Sequence, residues 1–220
     1  MSFLTTIVEY EGVVANVRAR YWAAHSEAVK AMGFRGPTAD EFWRLLKTGA
    51  SDGLMVPYAK TPKVLEYRKL RDERLNAADL IALDEVWPEA GPNLKIFKNM
   101  GTCHLVSLCF NREALNAALD RMDVWMHFDK KQMLPADGDR RVAVLREMMG
   151  GIRTLAIAGS VPFAYAAGEA GCRVIGMKTG LAFPKQFQQV GVDLCFESLD
   201  ALTEAMARHD PALQKLGVMA

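Results

Sequence analysis

No run in this 220-residue sequence approaches the roughly 18 apolar residues that a membrane-spanning helix needs, so a transmembrane protein is not expected. The opening MSFLTTIVEYEG has no basic start, long apolar stretch or small-residue cleavage site of the kind a signal peptide carries, and the expected location is cytoplasmic. Net charge is almost absent: 27 Lys and Arg face 26 Asp and Glu, so nothing marks the whole surface for nucleic acid or an anionic membrane. Cysteine is scarce. Cys103, Cys109, Cys172 and Cys195 sit in apolar runs without a CxxC pair, the pattern of reduced core thiols. The histidines His25, His104, His127 and His209 fall in unrelated segments, whereas zinc needs three or four convergent ligands; His127 and Asp129 share one side of an extended segment but lack a third partner. No metal site and no cofactor are expected. Repeats and low-complexity segments are also missing.

What is present is an alternation of elements. Residues 3–8 form a short apolar, β-branched run that ends at Glu9-Tyr10-Glu11-Gly12, a buried strand leading into a turn. From residue 17 to about 83 the spacing is helical: residues 18–32 stop at Gly33, Thr38 stands as a cap before ADEFWRLLK, and Thr61-Pro62 opens KVLEYRKLRDERL. Strand pattern returns at residues 104–110, with Asn111 as N-cap of the next helix. Helix then follows at 139–149, strand at 154–158, helix at 162–170, strand at 172–177, strand at 193–197 and helix at 198–208. Strands alternating with helices predict an α/β fold with a parallel sheet covered on both faces. Ligands of such sheets lie beyond the carboxyl ends of the strands, which would gather residues 9–12, 129–131, 159–163 and the loop after Phe110 around one crevice. Trp22, Trp43, Tyr58 and Tyr67 in the helical stretch read as an aromatic-lined pocket or, at helical spacing, as core; the twelve methionines read as gap-filling.

Three segments carry a family likeness. IVEYEGVVANV resembles an opening strand followed by DxDG, GSVPFAYAAGEAGCRVIGMKTG resembles a fourth motif and its next strand, and VGVDLCFESLDAL resembles the usual ending. In this order and spacing they resemble haloacid dehalogenase-type phosphohydrolases, in the group of phosphoglycolate phosphatases and β-phosphoglucomutases. The resemblance implies a Rossmann-like core of residues 1–14 and 88–220, interrupted at residues 15–87 by a helical cap of four or five helices. It also implies site residues: Glu9 as nucleophile, Glu11 as acid and base, Lys131 as the lysine of the third motif, and Gly12, Ser107, Lys130, Gly159 and Ser160 around the phosphoryl group.

The departures from that family bear on the chemistry. Glu9 and Glu11 stand where it has aspartates, each one methylene longer, and Gly159 and Phe163 stand where it has acids that hold Mg²⁺. Bringing a carboxylate to about 4 Å from a phosphate dianion costs roughly 8 kcal/mol at an effective dielectric of about 20, and without a cation that repulsion is not offset. Three readings follow. The leading one is a catalytically degenerate protein whose crevice binds a small phosphorylated metabolite or a regulatory protein partner. The second is an active phosphohydrolase using Glu9 and Glu11 with Mg²⁺ held elsewhere, and the third is a structural or assembly subunit. On the first reading Glu9 and Glu11 cap backbone N–H groups or form a Glu–Lys pair with Lys130 or Lys131, Ser107 is satisfied by backbone, and Gly159-Ser160 cradles an anion.

Overall fold

A computed structural model of the chain describes residues 4–149 and 153–218. Phe3, the expected first strand residue, lies outside the described residues. The sheet has six parallel strands: β1 (Leu4–Glu9), β4 (Gly101–Ser107), β5 (Lys130–Met133), β6 (Thr154–Ala158), β7 (Arg173–Met177) and β8 (Cys195–Phe196). Their spatial order is β5-β4-β1-β6-β7-β8. Every residue of β1 is buried, as a central strand covered on both faces requires. Side chains alternate between two apolar layers: Val8, Leu105 and Ile157 pack on one face, Ile7, Val106 and Ala156 on the other.

Two short strands, β2 (Ala15–Asn16) and β3 (Glu85–Val86), pair antiparallel. Between them lie five helices, Arg18–Ala31, Ala39–Lys47, Asp52–Met55, Thr61–Leu75 and Ala78–Ile81. The first four share a small core of Ala28, Val29, Phe42, Met55, Val56 and Tyr67, while Ile81 of the fifth packs with Cys109 and Ala118. Thr38 closes a capping box with Glu41, and a proline lies in the first turn of Thr61–Leu75. Among the described residues no helix is long and apolar enough to cross a membrane.

Several elements differ from expectation for local reasons. The strand expected at 104–110 is Gly101–Ser107: beyond Ser107 the N–H groups of Leu108 and Cys109 donate to the side chains of Glu11 and Ser107, so the chain leaves the sheet there. The helix Ala90–Met100 falls where no element is expected; its Gly91 and Pro92 lie in the first turn, where a proline removes no intrahelical hydrogen bond. The edge strand β5, KKQM, shows no apolar alternation: Lys130 is exposed at the rim and the other three residues are only half-buried.

The order of connections fixes the site. After β1 the chain runs to β4 and β5 on one side, then crosses to β6, β7 and β8 on the other. The carboxyl ends of β4, β1 and β6 therefore meet at the switch point, where Ser107, Glu9 and Ala158 end their strands.

Candidate functional site

Glu9 ends the central strand and is fully buried. Across from it, Gly159 and Ser160 lead into the helix Val161–Ala170, whose first N–H groups point back at the switch point. The extra methylene of glutamate carries its carboxyl group into those donors. Oε2 accepts from Gly159 N (2.7 Å) and Ser160 N (2.8 Å), and Oε1 accepts from Ser160 Oγ (2.5 Å). The anion-binding end of this helix is filled by the protein's own side chain. Burial, reinforced by the charge of Glu11, pushes the Glu9 carboxyl up to about 8, against the three donors that favour its charged form.

Glu11 takes the neighbouring donors. Ser107 Oγ donates to its Oε1 (2.7 Å) and Leu108 N to its Oε2 (3.2 Å). Its cation is Arg20, from the first turn of the helix Arg18–Ala31, with Nη2 at 3.5 Å. The same guanidinium places Nε 3.3 Å from Asp84 Oδ1, and Tyr10 Oη donates to Asp84 Oδ2 (3.1 Å). Burial works against the Arg20 charge, but Asp84 and Glu11 outweigh it and hold the group above its ordinary value. Burial pushes Asp84 up to about 7, despite Arg20.

Behind the carboxylates three glycines bring three loops into contact. A Cβ on Gly12, which has φ +76°, would lie 2.4 Å from Gly180 Cα; one on Gly180 would lie 2.2 Å from the Gly159 carbonyl oxygen; one on Gly159 would lie 2.1 Å from the Glu11 carbonyl oxygen. Leu181 N donates to the Gly159 carbonyl (2.6 Å) and Thr179 Oγ1 to the Gly12 carbonyl (2.6 Å). These contacts leave no room for a side chain at position 159.

The structure thus brings Glu9, Glu11, Gly12, Ser107, Gly159 and Ser160 together. It does not bring the lysines. Lys130 and Lys131 open β5 opposite His104 and Leu105, and the carboxyl end of that strand is Met133. The Lys131 ammonium stacks over the Trp125 ring at 3.0 Å, so the expected Glu–Lys pair is corrected to a Glu11–Arg20 pair. Asp129 pairs with Lys98 and accepts from Cys103 N, while Trp22, His25, Phe42 and Tyr67 pack as one ring cluster inside the helical segment. Tyr58 stands outside that cluster, fully exposed. Phe163 is buried in the core.

Sequence reasoning missed Arg20, Asp84, Gly180 and Arg141. Arg20 was in principle findable, since it falls in line with the buried Ala24 and Ala28 at i+4 and i+8. Arg141 donates to the carbonyls of Pro135, Ala136 and Pro162, tying the loop after β5 to the helix after β6.

The raised Glu9 carboxyl has a consequence for stability. In the unfolded chain it ionises near 4.5, in the folded chain near 8, so between these values the folded state holds the extra proton. Its stabilising contribution is complete below about pH 4.5 and is lost as pH rises to about 8. Glu9→Gln keeps an acceptor for the two N–H groups and does not ionise. Its melting temperature should fall less between pH 5 and 9 than that of the wild type, with Asp84 contributing the remaining slope; parallel curves would remove Glu9 as the cause.

Comparison with known proteins places this geometry in a fold. No family model and no curated protein matches the sequence. Solved structures do match over nearly the full length. A haloacid dehalogenase-like family hydrolase from Streptococcus pneumoniae superposes with a TM-score of 0.75 at 11% identity, covering 94% of this chain and 99% of that one. A predicted phosphatase from Clostridium acetobutylicum gives 0.72 at 13% identity, covering 94% and 100%. A predicted phosphoglycolate phosphatase from Haemophilus somnus gives 0.69 at 14% identity, covering 94% and 99%. The chain has the Rossmann-like fold of haloacid dehalogenase-like hydrolases and phosphatases.

Proposed function

We propose that this protein is a catalytically degenerate relative of those phosphatases, acting by binding rather than by phosphoryl transfer. One observation carries the reading: the donors at the switch point are taken by the protein's own carboxyl groups, Glu9 on Gly159 N, Ser160 N and Ser160 Oγ, Glu11 on Ser107 Oγ and Leu108 N. A phosphoryl group arriving there would have to displace both. The donor set also suits Mg²⁺ poorly. Glu11 faces a guanidinium, Gly159 has no space for a ligating side chain, and Phe163 is apolar. No group of three or more potential metal ligands converges among the described residues.

On this reading the five helices between β2 and β3 are a cap held against the core. Arg20, in the first of them, fastens them to Glu11 of the core on one side. On the other, Phe183 N donates to the Lys47 carbonyl (3.1 Å) and Lys47 Nζ donates to the Lys178 carbonyl (2.7 Å). The location we assign is cytoplasmic, in keeping with unpaired thiols at Cys103, Cys109, Cys172 and Cys195.

The test is an assay of the purified chain with Mg²⁺ and generic phosphate monoesters such as phenyl phosphate. We expect no turnover above the buffer rate. Turnover near 1 s⁻¹, within the ordinary range of enzymes, that disappears in Glu9→Gln would overturn the proposal and install Glu9 as a nucleophile.

A further inference from the structure

Away from the switch point, a cleft of about 250 Å³ lies along the edge of the sheet, between β5, the helix Arg112–Arg121 and the single turn Trp125–His127. None of its lining residues takes part in the contacts of Glu9 and Glu11. Leu115 and Met133 give it an apolar wall, and Arg112 and Lys131 bring two cations to it. Among the described residues Arg112 has no ion pair and no side-chain hydrogen bond. Lys131 has only the face of the Trp125 ring, its ammonium lying 3.0 Å from the centroid. Burial holds that ammonium below its ordinary pKa, against the pull of Asp120, an acid of the same helix that forms no ion pair with it. Two further side chains, Asn116 and the Trp125 indole N–H, have no hydrogen-bond partner among the described residues, and Gln132 spends one amide N–H on the Met133 carbonyl (3.2 Å). All of these polar side chains are exposed or half-buried, so a molecule in the cleft can reach them.

A cation–π contact at an accessible site is weaker than one charge-assisted hydrogen bond, so an anion entering the cleft outcompetes the indole ring for Lys131. The guanidinium fork of Arg112 matches two oxygens of one carboxylate or phosphoryl group, and the ammonium adds a point charge. A cationic ligand would meet two like charges, opposed only by Asp120. An engineered apolar cavity of about 150 Å³ holds benzene, so this cleft has room for one ring in addition to a charged head.

We propose that this cleft binds a small organic anion, with its carboxylate or phosphoryl head on Arg112 and Lys131 and an apolar body against Leu115 and Met133. Lys131, expected at the switch point, thereby has a ligand-binding role at the edge of the sheet. The site stands apart from the switch point, and its ligand need not be a substrate of any reaction there.

Benzoate, phenyl phosphate and phenol serve as probes on the full chain, by chemical-shift titration and calorimetry. The titrations contain no Mg²⁺, so they read the cleft separately from the hydrolysis assay. At least one of the two anions should bind saturably, with shifts centred on Leu115 and the Trp125 indole N–H, and the tighter of them assigns the head group. Phenol, which has the ring without the charge, should bind at least about tenfold more weakly, the worth of one charge-assisted hydrogen bond. Arg112→Ala and Lys131→Ala should each weaken the anion about tenfold, while Lys131→Arg keeps most of the affinity. Asp120→Asn, which removes the opposing charge, should tighten binding about twofold. All four replacements are at exposed or half-buried positions, where the fold does not depend on them. Failure of both anions to saturate by about 10 mM overturns the inference. So does equal affinity for anion and phenol, or anion binding that shifts Gly159 and Ser160 in place of Leu115 and Trp125 and is untouched by Arg112→Ala and Lys131→Ala.

Discussion

Replacing Arg20 with alanine should lower the unfolding free energy by about 3–5 kcal/mol, among the largest losses expected from any single side chain in this protein. Arg20 is 2% exposed and is the cation that faces both Glu11 and Asp84, themselves almost wholly buried. Removing it leaves two carboxyl groups in a low dielectric beside a third, Glu9, with only Arg121 still acting on Asp84. The net worth of the intact network is smaller than this figure, since burying the ions was itself expensive. For that reason Arg20→Met combined with Glu11→Gln and Asp84→Asn should recover much of the loss. Urea denaturation of the single and triple variants reads both effects; a single-variant loss below about 1 kcal/mol, the range of an exposed pair, would mean that solvent reaches the guanidinium.

Gly159→Asp should be worse than neutral as a repair of phosphatase chemistry. The first atom it adds, Cβ, would sit 2.1 Å from the Glu11 carbonyl oxygen, a backbone atom that cannot rotate away. Moving it would disturb the Gly12 and Gly180 contacts that lean on the same junction. A loss of at least about 3 kcal/mol, or failure to fold, is the expected outcome. Gly159→Ala should lose nearly as much, because the clash arises at Cβ and not at the carboxylate. Glu9→Asp should fold but withdraw the carboxyl group from Gly159 N and Ser160 N, without producing Mg²⁺-dependent hydrolysis. A Gly159→Asp protein that melts at the wild-type temperature and hydrolyses phenyl phosphate would show that the junction opens readily, and the non-catalytic reading would fall.

The stability loss at Arg20 and the clash at Gly159 were differently legible. Leu4–Glu9 and Thr154–Ala158 could be read as strands because central parallel strands are apolar along their whole length, and that pattern is local. Thr38 and Asn111 could be read as caps because a cap acts on N–H groups two or three residues away. The gathering of Glu9, Glu11, Ser107, Gly159 and Ser160 followed from the rule that places sites beyond strand ends. The lysines were misplaced by the same rule. Nothing in KKQM announces where its strand starts, and a shift of a few residues moves Lys130 and Lys131 from the crevice to the amino end of the edge strand.

The sequence by itself determined the α/β alternation, the parallel sheet, the helical stretch after the first strand and the presence of the non-acidic Gly159 and Phe163 after the strand Thr154–Ala158. These are properties of residues or of short windows. Only the tertiary structure decided what surrounds Glu9 and Glu11: Arg20 as the cation for Glu11 and Asp84, and the three-glycine contact of Gly12, Gly159 and Gly180. Ion pairing and backbone contact depend on distances between segments far apart in the chain, and those distances exist only once the sheet has set its strand order.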